Sequence, residues 1–176
     1  MEYRYLNESE ITRDLFSEFI RHQKVRECLR REGCKWVIRE EPFIDDWNDE
    51  DYNKLITELK YTLKRGGWIY AGFCKGKLKA FVSLDSNISE DENRYMDMTN
   101  IYVSEDMRRK GIGRVLFKEV QKRAREMGAL KLYISAHSAV ESQAFYKAMG
   151  CVEAEKYNMD HVKKEPYDCQ LECRIK

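Results

Sequence analysis

The sequence predicts an α/β fold with a mixed, mostly antiparallel central sheet flanked by helices. Three observations carry that expectation. The runs WIYAGFC, KLKAFVSL, RYMDMTNIYV and LKLYIS are apolar or alternate residue by residue, as strands do. Two longer stretches repeat apolar residues at helical spacing, one through Tyr52, Leu55, Ile56, Leu59 and Leu63, the other through Ile112, Val115, Leu116, Val120, Ala124 and Met127. Their order, helices and then a strand meander and then strand–helix–strand–helix–strand–strand, calls for neighbours of both orientations in one sheet.

Along the chain, EYRYL alternates as a short opening strand. Asn7 offers an N-cap with Glu10 at capping-box spacing, and Ile11, Leu15, Phe16, Phe19 and Ile20 follow at helical intervals. A second short helix is expected through Val25, Cys28 and Leu29, stopped by Gly33. CKWVIREEPFIDDW is ambiguous, and Pro42 makes part of it loop. Asn48 can cap the next helix, which Gly66 and Gly67 end. WIYAGFC and KLKAFVSL read as a hairpin across the tight KGK turn, and RYMDMTNIYV follows after the polar loop SNISEDEN. Gly128 closes the helix that begins near Ile112. LKLYIS is then a strand, SAVESQAFYKAMG a short helix closed by Gly150, and CVEAEKYN and DCQLECRI two last strands.

With 176 residues the chain favours one domain with a real core. Lys and Arg total 32 against 31 Asp and Glu, a net charge of +1, which argues against a nucleic-acid partner. The start MEYRYLNESE lacks a cationic-then-apolar signal, and WIYAGFC is far too short to cross a bilayer. A cytoplasmic protein with no membrane partner is expected. The six cysteines, Cys28, Cys34, Cys74, Cys151, Cys169 and Cys173, lack CxxC spacing and a histidine at ligand distance, so free thiols are expected and no metal site.

The most informative stretch is DMRRKGIGRVLF, a basic, glycine-bearing loop between a strand and an amphipathic helix. The first turn of a helix carries unsatisfied N–H groups and partial positive charge. Gly111 and Gly113 lack Cβ atoms that would hold a phosphate away from those donors, and Arg108, Arg109, Lys110 and Arg114 can screen its charge. The loop is shorter than a P-loop and has fewer glycines than a dinucleotide fingerprint.

Arg-x-x-Gly-x-Gly after a strand ending in Ile101-Tyr102-Val103, followed by a strand and then FYKAMG, resembles the GNAT superfamily of acyl-CoA-dependent N-acetyltransferases. The resemblance is strongest from about Tyr95 to Cys151. It implies acetyl-CoA as co-substrate, its pyrophosphate on Arg108, Arg109, Lys110, Gly111, Ile112, Gly113 and Arg114, and its pantetheine arm along Ile101, Tyr102 and Val103. It also implies that residues 1–67 shape an acceptor site while 68–176 form the acyl-CoA-binding core and closing strands.

Tyr146, in the AFYKAMG helix, stands where family members carry a tyrosine aimed at the CoA sulfur. A phenol with a pKa of about 10 stays protonated at neutral pH and can return a proton to a thiolate. Asp97 lies at the spacing of the catalytic glutamate of histone-type members, and a carboxylate in an otherwise apolar strand is costly without work or a partner. Ala139 replaces an asparagine common in the family, which leaves Ser138 and Ser142 as hydroxyls for the pantetheine arm. His137 sits at a strand–helix junction, where capping is the commoner role. Asp49, Glu50 and Asp51 suit the first turn of a helix, whereas Glu41, Asp45, Asp46 and Trp47 are candidates for the acceptor site.

The expected function is therefore acetyl transfer from acetyl-CoA to a primary amine of a small molecule or peptide, directly in a ternary complex. The alternative is a catalytically silent acyl-CoA-binding sensor or scaffold. An exposed face of the terminal strands would suit a homodimer.

Overall fold

The computed structural model describes residues 1–175. β1 (Glu2–Tyr5) leads through two single-turn 3₁₀ helices, Glu8–Glu10 and Asp14–Phe16, into a long hairpin of β2 (His22–Glu32) and β3 (Lys35–Asp46). Then come α1 (Asp49–Lys64), β4 (Trp68–Cys74), β5 (Lys77–Ile88), β6 (Tyr95–Val103) and α2 (Ile112–Glu126). The chain closes with β7 (Lys131–Ala136), α3 (Val140–Ala148), β8 (Val152–Glu153), α4 (Met159–Lys164) and β9 (Cys169–Arg174). Seven strands form one sheet in the order β1-β4-β5-β6-β7-β9-β8, and β2 and β3 form a separate ribbon. In the large sheet β6–β7 is parallel and every other pairing is antiparallel.

Both faces of the sheet are covered, which is why β4 and β5 read as near-continuous apolar runs rather than alternating ones. α2 buries Ile112, Leu116, Phe117, Val120 and Ala124 against Val82, Leu84, Met96, Met98, Leu132 and Ile134. On the other face Phe16, Phe19, Tyr52, Leu55 and Leu59 cover Ile69, Phe73 and Phe81. Each of the Val, Leu, Ile, Phe and Met side chains among them, fully buried, stabilises the fold by about 1.5–3 kcal/mol. α1 begins at a capping box: Asn48 accepts from the amides of Glu50 (2.8 Å) and Asp51 (3.1 Å), and Asp51 accepts from the amide of Asn48 at 3.0 Å. The acidic triplet Asp49-Glu50-Asp51 is that helix's first turn.

Four expectations are corrected. Asn7 and Glu10 do form a capping box, but the turn ends at Glu10. Ile11, Phe16 and Phe19 are buried from an irregular path over the sheet, because contact with Phe81 and Tyr52 outweighs helical propensity. The helix expected through Val25, Cys28 and Leu29 is strand β2, with Gly33 in the hairpin turn at φ +59°. The ladder slips between Val25 and Glu27, and this break in alternation buries both Val25 and Cys28 against Ala139. A helix-like spacing thus arises from an irregular ribbon.

Pro42, expected in a loop, lies within β3 at that slip, where Glu41 and Pro42 face Arg26 and no ladder amide is needed. The expected strand CVEAEKYN shrinks to the two residues of β8, and α4, capped by Asn158 accepting from Asp160 N at 3.0 Å, appears where no element was expected.

Replacing Asn48 with Ala removes the cap and is expected to lower unfolding free energy by about 1 kcal/mol, read by urea denaturation.

Candidate active site

β6 and β7 pair only through Tyr95, Met96 and Asp97, opposite Lys131, Leu132 and Tyr133. Beyond Asp97 they part, although β6 runs on to Val103 beside β5. At the parting point Ser83 faces Asn100 and Leu84 faces Met98, so Thr99 is an extra, unmatched residue. This bulge is held by Ser83 Oγ, 2.6 Å from Thr99 Oγ1 and accepting from Asn100 Nδ2 at 3.0 Å. It bends the strand and resets its alternation. Met96 and Met98 enter the α2-side core, and Ile101 and Val103 then pack against that same core. Asp97 and Tyr102 are left together on the α1 side, where Tyr102 packs with Phe81. Every second residue of Thr99–Val103 turns its main-chain N–H and C=O into the split.

The loop after β6 is pinned at its base. Ser104 Oγ accepts from Ile20 N at 3.0 Å and donates to Asp106 Oδ1 at 2.5 Å, while Asp106 Oδ2 lies 2.9 Å from Lys79 Nζ. Gly111 is the N-cap of α2 at φ +77°, with open space where a Cβ would point. Arg109 is also left-handed, at φ +61°. The first helical bond runs from Val115 N to Gly111 O at 3.3 Å, so the preceding amides have no intrahelical partner.

The two glycines divide their work. A Cβ on Gly113 would stand 3.1 Å from the Phe145 ring, so the missing side chain of Gly113 lets α3 close on α2. Ile112 is core, and only its backbone faces the loop. Arg108 is folded back, its Nε donating to Val103 O at 3.2 Å, and Lys110 Nζ donates to Asp106 O at 3.0 Å. Arg109 and Arg114 are exposed and have no ion pair or hydrogen bond among the described residues.

Tyr146 rises from α3 and is 8% exposed, and its hydroxyl has no hydrogen-bond partner among the described residues. Burial, with Tyr102, Cys151 and Asp168 nearby, pushes its phenol well above the ordinary range, so it is protonated. Gln143 Nε2 donates to His137 O at 2.8 Å and ties α3 to the end of β7. Ala139 is fully buried and bridged to Cys28 of β2. Ser138 is buried and accepts from Arg30 Nη1 at 2.7 Å, so its hydroxyl fastens the hairpin rather than facing the split. Ser142 is half-buried, one helical turn before Tyr146. His137 caps α3, its Nδ1 accepting from Ala139 N at 3.1 Å, and burial lowers its pKa.

On the α1 side the chain gathers groups that are distant in sequence. Asp97 Oδ2 lies 2.8 Å from His161 Nε2 of α4, and the His161 ring stacks on Tyr133 at 5.6 Å. Asp97, Tyr95, Tyr133 and Asn158 line a cavity of about 370 Å³. Asp168 accepts from Ser135 Oγ at 3.1 Å, and burial raises its carboxyl to about 6. Sequence reading missed His161 and Asp168, whose only signals were the Asn158 cap and a carboxylate heading the last strand.

Trp47 meets Tyr102 edge-on at 4.8 Å, and Arg21, 6% exposed, pairs with Asp45 and lies over both rings. Tyr102 is thereby enclosed, and its phenol is pushed up to about 12. Glu41 pairs with Arg30 at 2.5 Å and Asp46 lies 3.4 Å from His22, which leaves Asp45 and Trp47 as the members of the acidic run that reach β6.

The match to the acetyltransferase (GNAT) family extends over residues 31–151, from the β2–β3 hairpin through the split and the loop to the end of α3. The chain belongs to the GNAT family. Solved structures that cover nearly all of it share this fold. Nourseothricin acetyltransferase is 16% identical, covering 99% of this chain and 98% of that one, with a TM-score of 0.72. A protein described as a streptothricin acetyltransferase of Bacillus anthracis, in complex with acetyl coenzyme A, is 18% identical over 97% and 95%, TM-score 0.68. The PaiA N-acetyltransferase of Thermoplasma acidophilum, in complex with coenzyme A, is 16% identical over 98% and 98%, TM-score 0.61. No curated protein matches the chain in sequence. Two of these structures hold acetyl coenzyme A or coenzyme A, and in this chain the corresponding family fold leaves an open β6 edge and unfilled donors at Gly111.

Because burial raises the Asp168 pKa, its ionised form costs stability as pH rises from about 4 to about 6. Asp168→Asn is expected to gain stability over the wild type at pH 7 and to lose that gain at pH 4, in paired urea titrations.

Proposed function

We propose that the protein moves the acetyl group of acetyl-CoA directly to a primary amine in a ternary complex. The observation that carries this reading is the unpartnered Tyr146 hydroxyl at a strand split whose α1 side is acidic. The pyrophosphate sits on the amides of residues 111–114, with Arg109 and Arg114 free to meet its charge. The pantetheine arm completes the ladder along Ile101–Val103, which directs the thioester toward the bulge at Thr99. Residues 68–176 supply this acyl-CoA side, and residues 1–67 supply the acceptor wall through Arg21, Asp45 and Trp47.

The acceptor approaches as an ammonium ion, which the carboxylates of Asp97, Asp168 and Asp45 favour. Its proton leaves on the Asp97 side, and the amine attacks the thioester carbon. The intermediate collapses with cleavage of the C–S bond, and Tyr146 gives its proton to the sulfur. The second amine proton restores the phenol, so one proton is released per turnover. A covalent acetyl-cysteine is disfavoured because burial raises the thiol nearest Asp168, Cys169, to about 12.

The streptothricin-type names among the structural neighbours make such cationic antibiotics a sensible part of an amine panel, alongside polyamines and lysine-ended peptides. The panel is read by CoA release. With the best acceptor, Tyr146→Phe is expected to lower kcat by about a hundredfold while CoA affinity holds; unchanged turnover removes Tyr146 from the mechanism.

Gly111→Val puts a branched side chain at a positive φ over the phosphate donors, and its dissociation constant for CoA, by calorimetry, is expected to rise by more than about tenfold. Wild-type affinity in that variant would place the pyrophosphate elsewhere.

A further inference from the structure

α4 is the one helix that the family-like order of elements did not anticipate, and it brings a histidine to the carboxylate in β6. His161 lies on the α1 side of the sheet, its Nε2 2.8 Å from Asp97 Oδ2 and its ring stacked on Tyr133. Tyr133 is itself fixed, donating to Gln170 Oε1 at 2.6 Å and accepting from Asn158 N at 2.8 Å, so the surface under the imidazole is rigid. The histidine and Asp97 side chains are each 29% exposed, open to a small molecule without being free to swing. Nδ1 has no hydrogen-bond partner among the described residues. Asp97 is the last residue paired before the strands part, so the dyad stands at the head of the split.

Resting on the acetyl-transfer reading above, we infer that His161 is the group that takes the acceptor's proton, and that Asp97 is the positioning residue that orients it. An ionised Asp97 accepts from Nε2–H, which fixes the tautomer and leaves the Nδ1 lone pair for the incoming ammonium. That proton passes to Nδ1 before the C–N bond forms, the imidazolium is stabilised by Asp97, and water later removes the proton. A carboxylate that holds a histidine in one tautomer is a general solution for a base acting near neutral pH.

The neighbours agree with that role. Asp97 faces the ring from β6, Tyr133 from β7 and Asp168 from the segment before β9, while Asp160 and Lys164 flank it on α4. Lys164 is drawn off to Glu58 of α1 at 3.0 Å. Their sum raises the His161 pKa, chiefly through the hydrogen bond to Asp97. The residue is therefore a stronger base than an isolated imidazole.

The test is the pH dependence of kcat/KM with the best acceptor from the amine panel, measured by CoA release for the wild type, His161→Gln and Asp97→Asn. In the wild type activity is expected to fall as pH drops through the His161 pKa. His161→Gln should lose that limb, follow the concentration of free amine instead, and fall by at least about thirtyfold at pH 7 with CoA affinity unchanged. Added imidazole should restore part of the rate. Asp97→Asn should move the limb to lower pH, an effect that a merely structural contact would not produce. A wild-type profile in His161→Gln, or a limb that stays in place in Asp97→Asn, overturns this assignment while leaving acetyl transfer standing. A wild type that releases CoA with no amine in the panel overturns the transfer reading and this inference together.

Discussion

The structure turns on a parallel strand pair that comes apart. β6 is bonded to β7 for three residues and then presents a bare edge inside a sheet whose two faces are already covered. Thr99 is exposed and Asn100 to Val103 are half-buried, so the edge is open to an extended partner with amides of its own. The bulge at Thr99 creates the opening, the Ser83–Thr99–Asn100 cluster holds it, and α2 and α1 clamp the sheet on either side. The loop, the tyrosine and the acidic side are all defined by their distance from that gap.

The split also sorts the chemistry by face. Resetting the alternation at Thr99 places Tyr102 beside Asp97 on the α1 side, whereas an unbroken strand would have turned it into the α2 core. Tyr146 approaches from α3, packed into the α2-side core, and its electrostatic neighbours Tyr102 and Asp168 lie on the other side. The protonated phenol and the carboxylates are thereby brought to one opening from opposite faces. Burial keeps the phenol neutral and holds the Asp168 carboxyl near 6, so donor and acceptor groups are held apart by their surroundings rather than by residue type.

The glycine loop was legible because its signal is local: basic residues, two glycines and the start of an amphipathic stripe follow one another without interruption. What could not be read was the division of labour within it. Gly113 answers to Phe145, thirty-odd positions away in the chain, and Arg108 answers to the Val103 carbonyl. The N-terminal third failed for the same reason in reverse. Val25 and Cys28 have helical spacing, but their burial is explained by Ala139 and a slipped ladder, neither of which leaves a mark in the local pattern. Ser138, read as a hydroxyl for the cofactor, accepts a hydrogen bond from Arg30 of that same hairpin, a contact that no local pattern marks.

By itself the sequence determined the sheet strands from Trp68 to Val103, the two amphipathic helices, the Asn48 cap and the glycine-bearing loop before α2, since each follows from contacts or periodicities within a few turns of chain. Only the tertiary structure decided which charged groups gather on the α1 side of the sheet. Arg21, Asp45, Asp97, His161 and Asp168 come from five separate segments, and His161 becomes more than a polar residue on a short exposed helix only when α4 folds back onto β6. Periodicity reports which face of an element is buried, but a catalytic distance depends on where two elements meet, and that is set by the packing of the whole sheet.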